Sequence, residues 1–399
     1  MIMRTSSWLH AAAAFTLAAS AISASHAQAP AGSRPTPQAA SAEDARLYAF
    51  LDQAFAEELR DRPQLATQLW MKDGQDRLDD ISDAAALRRL EWQRASVAQL
   101  KAGFDRTKLS LDGQANYDIW ALELDRAELS YKFRRMAPPF YSFLYSVHSQ
   151  LPNFLINTHT VQAAADMRAY AARIRAIPAV LDEAIVQSRA SDAAGIHAPR
   201  FEIERVIAGS RAIVTGAPFD DGAASPLWAD AQAKVARLRA AGTIDAPTAQ
   251  ALLDETRTAL LSIKPAYARV IAWAESDLST APSGRVGAMT LPDGAAWYAA
   301  ALKLNTTTDL TAEQIHQIGL KEVKRIEGEQ DALARQAGFK DRVAYYADRE
   351  RRNPPRPWTD ALRAEYLRNA NAAIARNLTM VPRYFGKVPA YKIEVVREP

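Results

Sequence analysis

Four histidines lie well inside the chain, and their spacing tests whether it carries the common zinc-hydrolase motif. They are His148, His159, His197 and His316. A hydrolase of the HExxH kind needs two histidines one helical turn apart, so that both imidazoles face one metal, with a glutamate between them that activates water. No two of these four lie three or four residues apart, and the sequence contains no HExxH. The spacing therefore predicts no catalytic and no metal-binding residue in this chain.

One glutamate and one histidine do have helical spacing. Glu313 precedes His316 by three residues, which places both side chains on one helix face, as in carboxylate-rich di-iron bundles. Those centres need a second such pair and further glutamates, and the sequence offers no second pair. We therefore interpret His316 as a residue that packs at a helix interface and bonds a neighbour.

The segment over residues 140–160 is rich in aromatic residues, low in charge and without a clean period. This pattern favours a buried loop or a short helix packed beneath the other helices. The alternative is a segment that lines a cleft and offers His148, Asn157 and His159 to a ligand. An enzyme with unrecognised chemistry is a further alternative, and it would use residues such as His148, His159 or Tyr141.

A group of arginines near residue 350 is the other candidate binding feature. Arg349, Arg351, Arg352 and Arg356 could bind an anion or a peptide carboxylate. Acidic residues and prolines interrupt the group, so its sequence favours a solvated loop.

Composition excludes several classes of function. The 49 basic and 46 acidic residues nearly balance, so no clustered basic excess suits a nucleic-acid partner. The absence of cysteine excludes disulfides, a thiol nucleophile, cysteine-ligated zinc and lipid attachment at a cysteine. Neither a G-x-S-x-G turn nor a phosphate-binding GxxxxGK[ST] loop occurs. The residues alone thus indicate no hydrolytic centre.

The N-terminus reads as an export signal. Residues 1–27 combine a positive Arg4, an apolar run from Ala11 to Ser23 and a small-x-small site that ends at Ala27. The apolar run is short for a membrane span, although an N-terminal anchor is the alternative. We expect cleavage near Ala27, a flexible leader over residues 28–40, and a periplasmic or secreted protein without a membrane span.

Helical periodicity dominates the remainder of the chain, so the predicted fold class is mostly α. Apolar residues recur at three- and four-residue steps between polar or proline-containing breaks. The predicted helices cover residues 41–60, 65–70, 80–104, 112–135, 161–191, 200–214, 224–241, 246–278, 311–338 and 358–377. We expect Pro265 to break or kink the helix over 246–278.

The clearest predicted helix begins at Thr311 and ends before Gly338. Thr311 and Gln314 have the spacing of a capping box, and Gly338 stands where a helix often ends in a left-handed residue. Between them an apolar stripe recurs, which predicts a long amphipathic helix. The stripe consists of Ile315, Ile318, Gly319, Val323, Ile326, Leu333 and Ala337.

The last residues change period. Tyr391, Ile393 and Val395 alternate with other residues at the two-residue step of a half-buried strand. A single strand leaves backbone groups unpaired, and no partner strand is evident in the sequence. We expect one C-terminal strand, from Tyr391 to Val396, whose open edge could recruit a second copy of the chain.

The stretch around the clearest helix resembles the DUF885 family of exported bacterial proteins. The matching residues are Tyr298, Leu302, Thr306, Thr307, Thr308, Leu310, Glu313, Ile315, His316, Gly319, Leu320, Glu322, Val323, Arg325, Ile326 and Glu329. That family resembles zinc metallopeptidases of mostly helical build, distantly like angiotensin-converting enzyme and the thermostable bacterial carboxypeptidases. The resemblance implies one helical domain over residues 41–399, a multi-helix array like the helical part of a gluzincin-like metallopeptidase.

The family's HExxH zinc helix lies further along than the residues matched here. Zinc is therefore a cofactor of the intact family by resemblance, and none is expected to bind this chain. We expect the N-terminal helical portion of a periplasmic peptidase-like protein, inactive alone and apparently incomplete at its C-terminus. The chain could be a truncated gene product. The alternative is a helical scaffold that binds peptide or protein without catalysis.

Overall fold

The computed structural model describes residues 42–142, 145–284, 286–354 and 356–385, together with residues 388, 393 and 395. The predicted signal peptide over 1–27 and leader over 28–40 lie outside the described residues. The chain divides into two compact units, unit 1 up to Ala300 and unit 2 from Ala301. No helix in the described part is long and apolar enough to cross a membrane.

Thirteen α-helices account for most of the described residues, which confirms the mostly α fold class. Those before the division are α1 (Ala42–Asp61), α2 (Pro63–Gln68), α3 (Asp83–Gly103), α4 (Leu111–Lys132), α5 (Val147–Asn157), α6 (Ala164–Asp192), α7 (Arg200–Ile213), α8 (Pro226–Ala240) and α9 (Ala246–Asp277). The others are α10 (Gly294–Thr306), α11 (Ala312–Gln336), α12 (Arg342–Arg352) and α13 (Asp360–Met380). Most lie within a few residues of their predicted bounds.

The main core of unit 1 forms around α6 and α9, with α5, α7 and α8 packed against them. Ile174, Ile177 and Leu181 on α6 and Leu260 and Ile263 on α9 are fully buried at helical spacing. Burial of such side chains stabilises the fold by about 1.5–3 kcal/mol each, before the loss of chain entropy.

The two long helices run parallel. Arg175 of α6 pairs with Glu255 of α9, and further along Asp182 pairs with Arg269. Since both partners advance in the same direction, the C-terminal ends of α6 and α9 lie side by side. Neither Pro178 in α6 nor Pro265 in α9 ends its helix, so α9 is not broken at Pro265, and the alternative of a kink there stays a prediction.

A smaller core in unit 1 joins α1, α3 and α4. Leu47, Val97 and Leu100 are buried together with Trp120. The indole of Trp120 donates to Ser96 Oγ over 3.0 Å and meets the ring of Trp92 edge-on. An aromatic pair in this geometry adds about 0.5–1.5 kcal/mol beyond the area it buries.

In unit 2, α11 begins and ends as predicted. Gln314 N–H donates to Thr311 Oγ1, the Gln314 side chain accepts from Thr311 N–H, and Gly338 has φ +85°. The face toward α12 is polar, because Arg342 bonds both Glu327 and Asp331 across the turn.

The apolar stripe of α11 is largely exposed, whereas its pattern indicates a buried face. Ile318, Val323 and Leu333 remain about half exposed, and Ala334 is the one buried residue of the helix among those described. Amphipathic periodicity marks a face that can be buried, but burial needs a covering element.

Three of the four arginines near residue 350 lie in a helix rather than in the expected loop, whereas Arg356 lies in the irregular segment after α12. Arg349, Arg351 and Arg352 form the last turn of α12, and the two latter pair with Asp348. Three basic residues at a helix C-terminus interact favourably with the helix dipole, and that explains why helix rather than loop forms there.

The predicted strand from Tyr391 to Val396 lies mostly outside the described residues. Ile393 and Val395, which are described, do not form a strand. The Val395 N–H instead donates to Asn371 Oδ1 over 2.9 Å, and its carbonyl accepts from Asn371 Nδ2 over 3.2 Å. One side-chain amide on α13 thus satisfies both backbone groups that a partner strand would otherwise have paired.

Candidate functional site

His159 belongs to a buried polar network centred on Arg173 of α6. The Arg173 Nη1 donates to His159 Nδ1 over 2.9 Å, and both side chains are almost completely buried. His159 Nε2 therefore carries the proton and donates to the Asp166 carbonyl over 3.1 Å. Burial lowers the pKa of His159 to about 4, so the imidazole is neutral and structural.

The same guanidinium anchors the segment that leads from α2 to α3. It donates to the carbonyls of Arg77, Pro63 and Gly74 and to Thr67 Oγ1, over 2.8–3.3 Å. Burial lowers the pKa of Arg173 to about 10, which still leaves it charged at neutral pH. Several acceptors compensate its desolvation, as a buried cation requires.

His148 and Asn157 do not line a cleft. Both lie on α5, the short packed helix that the sequence favoured over residues 140–160, so that interpretation is confirmed. His148 is 2% exposed, and its Nδ1 has no hydrogen-bond partner in the described structure. Burial lowers the pKa of His148 to about 4. Asn157 is exposed and bonds Asn153 one turn earlier.

His316 is solvent-exposed, so its expected packing at a helix interface is wrong. The reason is the one that applies to the whole apolar stripe: no described residue of unit 2 covers that face of α11.

A buried lysine closes the C-terminal end of α5. Lys234 of α8 is 2% exposed and donates to the carbonyls of Leu155 and Ile156, each over 3.1 Å. It also pairs with Asp230, whose carboxylate accepts from Tyr170 over 3.0 Å. The cation thus satisfies carbonyls that a helix end leaves unpaired.

Unit 1 contains a cleft of about 790 Å³ between α1, α3 and α4. That volume is within the usual range for ligand sites. Its apolar lining comes from Phe55, Leu65, Leu69, Ile81, Ala86, Leu90, Trp92, Ile119 and Ala127. Its polar lining comes from Glu57, Glu58, Asp61, Arg62, Asp79, Asp80, Arg88, Arg89, Gln93, Glu123, Arg126, Ser130, Tyr131 and Arg134.

A free donor lies in the wall of this cleft. Gln93 is 8% exposed, and its Nε2 has no hydrogen-bond partner in the described structure. The neighbouring Trp92 indole is already engaged, since it donates to Glu57 Oε2 over 3.2 Å. A buried amide without a partner costs about 1–3 kcal/mol, so a shift of the Gln93 side chain that brings Nε2 to a ligand carbonyl would recover it.

Charges of both signs surround the cleft. Arg89 donates to the Asp61 carboxylate and to the backbone carbonyl of Asp80. Arg88 lies within ion-pair distance of the side-chain carboxylates of Asp61 and Asp80. Burial raises the pKa of Asp79, whose carboxylate accepts from Gln64 N–H. The cleft therefore offers apolar surface, an unpartnered amide and charges of both signs. This combination suits a ligand that has a polar backbone and apolar side groups.

A second group of chemically capable residues lies where α6 and α9 end. Asp192, His197 and Asp277 each place a ligand atom within 4.8 Å of the others. His197 Nδ1 is 3.5 Å from Asp192 Oδ1 and 3.9 Å from Asp277 Oδ1. Burial and the nearby Asp277 raise the pKa of Asp192 to about 6.

Neither the cleft nor the Asp192–His197–Asp277 group is evident from the sequence, and the reason is the same for both. The cleft is lined by charged residues of three helices whose patterns read as ordinary surface, and the aspartates of the second group are far apart in the chain. A search for histidines one turn apart cannot find a group assembled by two parallel helices and a loop.

The zinc centre implied by the family resemblance does not fit the residues present. His148 and His159 are buried within packed helices, His197 lies between α6 and α7, and His316 lies on α11. The described residues supply no pair of histidines with an intervening glutamate on one helix, so no hydrolytic step through such a centre is derived.

Comparison with known proteins gives a matching family and a solved structure that has the same fold. Residues 63–399 match the family described as "Bacterial protein of unknown function (DUF885)". A crystal structure of a Colwellia psychrerythraea protein, provisionally described as a lipoprotein, shares the fold with TM-score 0.74 and 18% identity. The match covers 90% of this chain, which spans 62% of the length of that protein. No curated protein matches the sequence.

Proposed function

The chain belongs to the DUF885 family, and from this premise we propose that it binds peptides in the cleft between α1, α3 and α4 without hydrolysing them by itself. It thereby acts as the helical, substrate-holding portion of a zinc-peptidase-like protein. The observation that carries the proposal is the unpartnered Gln93 amide in a largely apolar cleft of about 790 Å³. A peptide carbonyl accepts from such a donor, while apolar side chains fill the floor.

The sequence supports the non-hydrolytic part of this proposal. The chain contains no HExxH and no cysteine, so neither the zinc-water nor the thiol mechanism has its residues here. The charged rim around Arg89 and Asp61 supports recognition of peptides that carry both signs of charge.

Trp92 lines the cleft and is one of eight tryptophans in the chain, so a bound peptide should change its share of the emission. Tryptophan emission of the full-length chain is measured during titration with a library of short peptides that combine leucine or phenylalanine with charged residues. We expect saturable quenching, and Gln93→Leu should weaken it by about 1–3 kcal/mol, or roughly 5- to 150-fold. Arg175→Gln on the surface of α6 is the control and should bind as the parent does.

Two results would contradict the proposal. If no peptide changes the emission, or if Gln93→Leu and Arg175→Gln bind equally, the cleft is not the site. If the full-length chain releases amino groups from the same peptides, the non-hydrolytic part of the proposal fails.

The exposed stripe on α11 favours the second candidate, a protein-binding scaffold. Val323, Ile326 and Leu333 leave apolar surface in water, which in a soluble protein commonly marks an interaction site. Self-association through Tyr391 to Val396 is the alternative contact. Light scattering separates the two contacts when it is applied to the full chain, to Val323→Lys and to a chain that ends at Pro389. Only the variant that removes the self-association contact should have a smaller particle mass in solution.

We also propose export, followed by cleavage near Ala27, on the strength of the signal-like pattern over residues 1–27. N-terminal sequencing of protein recovered from a periplasmic fraction tests this, and a retained Met1 contradicts it.

A further inference from the structure

The parallel helices α6 and α9 both end in an aspartate, and their C-terminal ends lie side by side in unit 1. Asp192 is the last residue of α6, and Asp277 is the last residue of α9. Because the helices run parallel, both carboxylates lie together, and His197 from the segment between α6 and α7 lies beside them. None of the three lines the cleft described above.

The electrostatics of this place are unfavourable without a cation. A helix C-terminus carries a partial negative charge, which disfavours an acidic side chain and favours a cation nearby. Here two such ends and two carboxylates coincide. In the described residues His197 is the sole basic side chain within ion-pair distance of either aspartate, and Arg189 adds a weaker attraction to Asp192.

Two atoms of the group lack partners. Asp277 is 8% exposed, and although Oδ1 lies 3.3 Å from the Thr280 hydroxyl, Oδ2 has no hydrogen-bond partner in the described structure. His197 Nδ1 is also buried and unpartnered, because its distances to the carboxylates, 3.5 and 3.9 Å, exceed hydrogen-bond geometry. Buried polar atoms of this kind normally have a partner, so each needs an explanation.

We propose that Asp192, His197 and Asp277 bind zinc or a similar divalent metal ion. Imidazole and carboxylate are the ligand types that such ions accept. Two ligand atoms each roughly 2.1 Å from a tetrahedral zinc ion are about 3.4 Å apart. The two separations from His197 Nδ1, 3.5 and 3.9 Å, are close to that value, and the two aspartate oxygens lie within 4.8 Å of each other, so the group must contract on binding.

The partial exposure of His197 and Asp192 gives the ion a route from solvent. Three protein ligands leave a fourth tetrahedral position for water. The ion joins the ends of α6 and α9 to the segment that precedes α7, so binding stabilises unit 1 by mass action. This site is independent of the proposed peptide cleft and of the HExxH centre of the resembled family.

The test is metal titration of the full-length chain after removal of metal with a chelator. Calorimetry with ZnCl₂, and separately with MnCl₂, is expected to show saturable binding, and the melting temperature should rise on addition of zinc. Since loss of an outer partner alone weakens metal binding by about 10–100-fold, Asp192→Asn, Asp277→Asn and His197→Gln should each weaken it at least as much.

The asparagine variants also separate the metal site from simple packing. Each removes a charge from a repulsive pair, so the metal-free variants should melt at the same temperature as the parent or higher, while the zinc-induced rise disappears. Asp182→Asn, which removes an exposed partner of Arg269, and His316→Gln are controls that should keep parental affinity.

The proposal is overturned if the metal-stripped parent binds neither ion, or if the three site variants bind zinc as the controls do. It is also overturned if the metal-free asparagine variants melt well below the parent. In that case His197 serves as the cation that joins the two aspartates.

Discussion

The Arg173 guanidinium donates to His159 Nδ1 over 2.9 Å inside unit 1, and four further acceptors come from the segment between Pro63 and Arg77. One α6 side chain therefore holds both the start of α6 and the approach to α3. His159, which the cleft-lining alternative offered to a ligand, is instead a hydrogen-bond acceptor for a buried cation.

We predict that Arg173→Met destabilises the chain by more than about 3 kcal/mol, because several buried acceptors lose their donor at once. Urea unfolding followed by circular dichroism measures the change. Arg175→Met, which removes an exposed ion pair with Glu255 on the same helix, should cost about 1 kcal/mol or less. Equal losses in the two variants would show that Arg173 is not a structural anchor.

Lys234→Met should destabilise by about 3–5 kcal/mol, because the partly buried Asp230 loses its partner and the α5 carbonyls lose their donor. Differential scanning calorimetry provides the measurement. The matched control is Lys303→Met, whose ammonium is exposed and 3.4 Å from Asp309. A Lys234 variant as stable as that control would rule out the proposed capping role.

His148 should make the chain acid-sensitive. Its pKa is about 4 in the folded chain and near 6.5 when unfolded, so the unfolded state binds more protons between these values. Stability is present above about pH 6.5 and is lost as pH falls toward 4, by about 2 kcal/mol at pH 5 for this residue.

We expect His148→Leu to reduce that dependence and leave the part due to His159, whose pKa is also about 4. Stability at pH 7 should be unchanged or higher, since the variant removes an unpartnered Nδ1. Urea midpoints measured from pH 4.5 to pH 8 test this. His316→Leu, at an exposed position, should keep the parental slope. An unchanged slope in His148→Leu would mean that this imidazole does not titrate as described.

Two glycine substitutions should have opposite effects. A Cβ at Gly113 would lie 2.2 Å from Asp44 Oδ1, which accepts from Ser110 N–H, so Gly113→Ala must displace a buried carboxylate. We expect a loss of about 1–3 kcal/mol. A Cβ at Gly319 meets nothing within 4 Å, and alanine there should stabilise α11 by up to about 1 kcal/mol. Unfolding curves that show two losses would contradict the second part.

The sequence was sufficient for features that depend on neighbouring residues. Thr311 and Gln314 form the predicted capping box of α11, and Gly338 adopts the predicted left-handed conformation after it. These follow from chemistry within a few residues of the helix end.

Features set by distant residues were not accessible from the sequence. The stripe on α11 was read correctly as apolar, yet periodicity does not supply the element that covers it. His148 and His159 were candidate ligand-binding residues of a cleft-lining segment, and both proved to be core residues. Asp277 and the free amide of Gln93 drew no attention, because helix packing alone creates their surroundings.

The capping box of α11 and the exposure of its stripe together mean that this helix owes little to its neighbours. Its 25 residues include Ala334 as the one buried side chain, whereas Arg325 pairs with Glu322 and Glu329 within the helix. Most protein helices depend on tertiary packing and lose their structure when excised. The information that makes α11 a helix is instead local, so a synthetic peptide of residues 309–340 should retain measurable helicity in water.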